Sequence, residues 1–257
     1  MHHKKISVLL IVIFCLSFSS MCYASVNNNQ ITVLEKYEEI NDTDILFERA
    51  KKGITDFETI KTKESILKNS KTGEESKVKT YNTTQLLKVT KDKNGNKENA
   101  YKSTTFVFIY LPKITTDKIS INGSHSEDPK YDPSYSVLAS STFYFTTTTV
   151  NGLEHIRLTS AKGNWTIKDN QVSIPERKVY MACNGYNASR FSISDQKITH
   201  EPNSFSFNYS APSWWKPVCR TFDRSVGVGM WCKIRRIGGD SWTFYYSNNE
   251  GQLTCPY

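Results

Sequence analysis

Ser136-Val-Leu-Ala-Ser-Ser-Thr-Phe-Tyr-Phe-Thr-Thr-Thr-Thr-Val150 runs into Asn151-Gly152 and resumes as Leu153-Glu-His-Ile-Arg-Leu-Thr159. β-Branched and aromatic residues dominate both arms, and Asn-Gly is the dipeptide that a tight two-residue hairpin turn favours. The stretch therefore reads as a long β-hairpin.

The same signature continues downstream. Ile156 and Leu158 face one way, Arg157 and Thr159 the other. Val179, Met181 and Cys183 oppose Lys178 and Tyr180, and Phe205, Phe207 and Tyr209 alternate with small polar residues. Val226, Val228, Met230, Cys232 and Ile234 share a face, as do Trp242, Phe244 and Tyr246. A period of two over about seven strands predicts antiparallel sheets with one buried face each. Two such sheets packed together make a mainly β, antiparallel β-sandwich over residues 131–257. It is immunoglobulin-like in general architecture only, because Trp214 and Trp215 fall late between Cys183 and Cys232 and outside any strand pattern.

Upstream, residues 77–130 read as an accessory β-hairpin unit and linker. Its arms are Lys77–Lys91 and a return ending in Thr104–Leu111, with Asn94-Gly95 at the turn. Ile119–Ile121 reads as a short strand, and the polar run from His125 to Pro133 as a boundary. Residues 25–76 read as a charged, partly helical segment. Asn41-Asp42-Thr43 can cap a helix over Asp44–Lys52 that stops at Gly53. Thr55–Glu58 fits a capping box for a second helix with Phe57, Ile60 and Leu67 on one side.

Residues 1–24 combine Lys4 and Lys5, an apolar run from Ile6 to Met21, and the Cys22-Tyr23-Ala24 cleavage pattern. They read as a Sec-type signal peptide cut after Ala24, which places the mature chain outside the cell. Losing Lys4 and Lys5 leaves 31 basic against 25 acidic residues, a net charge of +6. That balance suits an anionic cell-surface polymer or lipid head groups. Nucleic acid is excluded as a partner, since no basic run or recognition helix is present. No bilayer span is expected once the leader is removed.

Cys183, Cys219, Cys232 and Cys255 remain after cleavage. An even count in an exported chain reads as two disulfides. Parity points Cys183 and Cys232 inward, which favours a Cys183–Cys232 bridge and leaves Cys219–Cys255 for one pole. Four cysteines permit three pairings, and Cys219–Cys232 is the main rival. No close Cys-x-x-Cys pair appears, so no zinc site is expected.

No motif for nucleophilic, metal-assisted or phosphate-handling catalysis is present. His125, His155 and His200 are scattered, and no catalytic residue or cofactor is assigned. The most suggestive cluster is Ala211–Ser225, where Trp214 and Trp215 stand beside Lys216, Arg220 and Arg224. Large aromatics usually fill cores, so at least one indole is expected to cap the sandwich. The other becomes the first candidate for stacking on a sugar ring. Lys233, Arg235 and Arg236 read as a solvated sheet face in preference to a polymer-binding strip. The Ser/Thr-rich run 134–150 breaks the alternation that a membrane-inserting hairpin needs. These readings rank a non-catalytic extracellular binder of a glycan or anionic wall polymer first, a membrane-active antibacterial protein or toxin second, and a secreted hydrolase third.

Overall fold

A computed structural model describes residues 31–57, 65–112 and 134–251. In chain order the elements are β1 (Thr32–Lys36), α1 (Thr43–Lys51), β2 (Ser65–Asn69), β3 (Glu75–Val78), β4 (Thr80–Lys91) and β5 (Lys97–Ile109). The long central strands follow as β6 (Val137–Val150), β7 (Leu153–Ile167) and β8 (Val172–Tyr186). Short strands β9 (Ser192–Ile193), β10 (Lys197–His200), β11 (Ser206–Ser210) and β12 (Val218–Cys219) come next. β13 (Ser225–Arg236) and β14 (Ser241–Gly251) close the described chain.

The strands form two antiparallel sheets. The first runs β1-β4-β5-β6-β7-β11, with β12 also paired to β7. The second runs β10-β8-β13-β14-β2-β3, with β9 also paired to β8. The quoted hairpin is β6–β7, and Asn151 (φ 51°) and Gly152 (φ 76°) supply the two positive dihedrals its turn needs. Inner faces interlock in one core: Phe143, Phe145, Ile156 and Leu158 from the first sheet meet Val179, Met181, Met230 and Phe244 from the second. Burying each such side chain contributes roughly 1.5–3 kcal/mol. This is the mainly β antiparallel sandwich that the period of two predicts.

Polar residues tie the two layers at one depth. Asn248 of β14 accepts from Ser103 Oγ at 3.1 Å and donates Nδ2 to the Ser103 and Ser141 carbonyls at 3.0 and 3.2 Å. Asn82 donates to Ser103, Thr105 and Asn248. Slipping either sheet by a residue would orphan these buried groups, so they hold the register.

Several expectations need correction. The β4–β5 hairpin does form, but it lies inside the first sheet, with β1 on one side and β6 on the other. The end of the segment expected as a second helix is strand β2 instead, with Leu67 opposite Phe244 in the core, and residues 58–64 of that segment lie outside the described residues. Pairing with β14 overrides a weak local helical pattern. Phe205 is 45% exposed because it lies just before β11, where its ring is covered on one side only, by the Arg177 guanidinium at 4.7 Å. The expected strand at Ile119–Ile121 and the boundary at residues 125–133 lie outside the described residues.

The disulfide expectation fails on register. Cys183 and Cys232 both face inward, yet on the β8–β13 ladder Cys183 stands opposite Val226 and Cys232 opposite Arg177. Six residues along a strand separate them by about 20 Å, far beyond the Cα spacing a disulfide tolerates. Cys183, Cys219 and Cys232 are free, buried thiols. Burial pushes Cys183 up to about 11 and Cys232 higher still. Cys255, the expected partner of Cys219, lies outside the described residues.

Helix α1 is capped as expected by Asp42, whose carboxylate accepts from the Asp44 and Ile45 N–H groups at 2.8 and 3.1 Å. Its buried residues Leu46, Phe47 and Ala50 cover Tyr81, Phe106 and Phe108 on the outer side of the first sheet. The Phe47 ring makes edge contacts with all three aromatics at 5.2–5.7 Å. Just before the helix, Glu39 accepts from Lys102 Nζ at 2.9 Å and Tyr144 Oη at 2.8 Å. Burial alone would raise the Glu39 pKa, but these two bonds outweigh it and hold the group below the usual carboxylate range. Among the described residues, no helix is long and apolar enough to cross a membrane.

Candidate functional site

The loop from Ala211 to Arg224 is built by tying its ends to the sandwich. The Ala211 N–H donates to Thr159 O at 2.8 Å, and Val218–Cys219 pairs as β12 with Ile156 and His155. Between those ties, the Trp215 N–H donates to Pro212 O at 3.1 Å and closes a tight turn. The turn separates neighbouring indoles. Trp215 is 2% exposed and joins the core, while Trp214 is 57% exposed. Their rings meet edge to face, 6.2 Å apart at 80°. The buried indole thus braces the exposed one.

Lys216 is exposed, but its backbone is fixed. Gln196 Oε1 accepts its N–H, Gln196 Nε2 donates to its carbonyl at 2.9 Å, and the Cys183 thiol lies 3.6 Å from the same oxygen. Gln196 is 1% exposed, so a buried amide pins the loop beside the indoles.

Arg220 and Arg224 behave differently. Arg220 Nε lies 3.0 Å from Glu250 Oε1, and its Nη1 pairs with Glu154. The guanidinium also stands 4.3 Å above the Phe57 ring. Arg224 binds the same Glu250 oxygen through Nε at 3.1 Å and through Nη2, and donates Nη1 to Phe222 O at 3.1 Å. The Glu250 side chain is fully buried. A buried carboxylate is tolerated only with paired charge and hydrogen bonds around it. Two of the three expected cations are therefore committed inside the protein, which leaves Lys216 as the loop's outward positive charge.

A neighbouring feature escaped the sequence reading. The tip of the β8–β9 hairpin abuts this loop: Tyr186 lies edge-on to Phe222 at 6.2 Å, and the Arg190 guanidinium stands 5.2 Å from the Phe222 ring centroid. Phe191 is 70% exposed and Tyr186 37%. Asn187 shapes the tip, its Oδ1 accepting from the Ser189 and Phe191 N–H groups at 2.9 and 3.0 Å. Asn-x-Ser-x-Phe carries the turn chemistry, but contact with Phe222 depends on chain more than thirty residues away. The candidate site, an aromatic pole, is thus drawn from this loop and the tip it touches: Trp214 and Lys216 on the loop, Tyr186, Arg190 and Phe191 on the tip, with Phe222 of the loop making the contact to the tip.

No family model, curated protein or solved structure matches this chain.

The remaining titratable candidates serve the fold. The His155 ring Nδ1 lies 3.1 Å from Leu153 O. His200 stacks on Tyr209 at 3.8 Å, and burial lowers its pKa. His125 lies outside the described residues. Among the described residues, no group of three His, Cys, Asp or Glu side chains is placed to hold a metal ion. The basic residues of β13 do not form a strip: Arg236 is 3% exposed and pairs with Asp169 at 2.8 Å, and Lys233 pairs with Glu176 at 3.3 Å.

Proposed function

We propose that this chain is an exported, non-catalytic binding protein that stacks a cell-surface glycan on the face of Trp214, with Lys216 and the Arg190–Phe222 pair alongside. One observation carries the reading: Trp214 stays 57% exposed while Trp215, its sequence neighbour, is buried beneath it. Single exposed apolar residues are ordinary on protein surfaces. Here an indole fixed by a tight turn belongs to the loop whose Phe222 meets a tip bearing exposed Tyr186 and Phe191. A flat, rigid ring with little entropy to lose favours stacking on the apolar face of a sugar. The leader at residues 1–24 supports an extracellular partner.

With Arg220 and Arg224 held by Glu250, stacking carries this site and charge plays the lesser part. Passage of the purified chain over insoluble cell-wall polysaccharide tests the reading. Retention of the native chain and loss of retention in Trp214→Ala, with an unchanged far-ultraviolet spectrum, are expected. Failure of the native chain to bind, or equal retention of both chains, overturns it. Dye release from anionic liposomes that depends on Trp214 would put a membrane-active protein in its place.

A further inference from the structure

A second surface lies on the outer side of the first sheet, where β6, β7 and β11 run side by side. A trough of about 450 Å³ is lined by three consecutive residues from each strand. The ladders place them in register: Ser140 opposite Asn164 opposite Ser206, and Thr142 opposite Lys162 opposite Asn208. Alternation turns these two rows outward, while the row between them, Ser141, Gly163 and Phe207, turns inward. Rows two residues apart on three strands span a grid of roughly 7 by 10 Å. All six outward side chains are able to hydrogen-bond, and none is aromatic.

The grid is built at its centre and free at its edge. Ser140 Oγ donates to Asn164 Oδ1 at 2.5 Å, Asn164 Nδ2 donates to Thr166 at 2.9 Å, and Thr142 shares a 2.8 Å bond with Thr104. Gly163 lets β11 approach: a Cβ there would stand 2.5 Å from Ser140 O and 2.7 Å from the Phe207 ring. Lys162 rests over the Tyr144 ring at 5.2 Å and has no carboxylate within ion-pair distance among the described residues. The nearby Glu39 charge is matched by Lys102. The side chains of Ser206 and Asn208 have no hydrogen-bond partner among the described residues.

We infer that this trough binds a hydroxyl-rich anion, with one negative group on Lys162 and hydroxyls on Ser206, Asn208 and the Ser140–Asn164 pair. Hydroxyls and amides exchange hydrogen bonds with a polyol in both directions, whereas an apolar ligand would leave them unpaired. The lone ammonium selects a charged member of that class. The site is independent of Trp214.

Calorimetric titration of the mature chain with three probes tests it: a glycerol-phosphate oligomer, an oligogalacturonate, and a neutral maltooligosaccharide. At least one anionic probe binds, the neutral one binds at least tenfold more weakly, and the two anions distinguish a polyol phosphate from an acidic sugar. Lys162→Gln weakens the anion at least tenfold and flattens its salt dependence. Asn208→Asp, which sets a carboxylate opposite Lys162, does the same. Trp214→Ala leaves this titration unchanged, so failure here is separable from failure of the aromatic pole. Binding of neither anion, equal binding of the neutral probe, or full affinity in Lys162→Gln overturns the inference.

Discussion

The two halves of the Ala211–Arg224 loop look alike in sequence and have opposite fates in the fold. In the first half, Trp214 and Lys216 remain at the surface above a buried Trp215. In the second half, Arg220 and Arg224 turn onto Glu250 and are consumed by it. What separates them is what lies opposite. The first half faces the core and the neutral Gln196, which holds backbone and leaves side chains free. The second half faces a buried carboxylate at the end of β14 that needs cations. The proposed binding role therefore rests on the half in which Trp214 and Lys216 have no internal use.

The strongest blow to this contrast is Trp215→Ala. Deleting a buried indole that supports both the core and Trp214 costs about 3–5 kcal/mol in urea unfolding. A cost under about 1 kcal/mol would mean the brace is not structural. Glu250→Ala comes next, at about 3 kcal/mol, because it leaves two guanidiniums in a mostly buried site without their carboxylate. Both arginines retain some contact with water, which keeps the cost at the low end. No loss of stability in Glu250→Ala would show the arginines to be free, as the sequence alone suggested.

Thiol labelling reports on the same contrast more gently. Cys219 sits in β12 directly before Arg220, and Cys183 lies against Lys216 O. Neither they nor Cys232 should react with a thiol reagent in the native chain at mildly alkaline pH, since all are buried and the pKa values of Cys183 and Cys232 are raised. Glu250→Ala should release Cys219 first. Rapid native labelling of Cys183 or Cys219, located by peptide mapping, would break the picture of a pinned loop. The smallest effect on stability belongs to Trp214→Ala, within about 0.5 kcal/mol, with glycan affinity falling at least about tenfold.

Much of the sandwich was legible in the chain because alternation states which way each side chain points. Ile156, Leu158, Val179, Met181, Val228 and Phe244 are all inside, as their parity required. The Asn151-Gly152 turn and the Asp42 cap were readable for a similar local reason: their chemistry is complete within four residues. Parity does not say where along a strand two residues meet. That is why Cys183 and Cys232 share a face and cannot bond. Long-range pairing was equally hidden at β2, whose place as a strand depends on β14, and at Arg220 and Arg224, whose partner lies 26–30 residues downstream. The division of the two indoles was anticipated in kind, with one in the core and one outside. Which one stayed out was decided by the turn at Pro212.

Iodide quenching of tryptophan fluorescence, in the native chain and in Trp214→Phe, tests the central claim most directly. Trp165, Trp215 and Trp242 are buried and Trp231 is half-buried, so Trp214 should supply nearly all of the readily quenched emission. The account predicts that this component disappears in Trp214→Phe and that saturating wall glycan shields it in the native chain. Quenching that persists undiminished in Trp214→Phe, or that glycan leaves untouched, would contradict it.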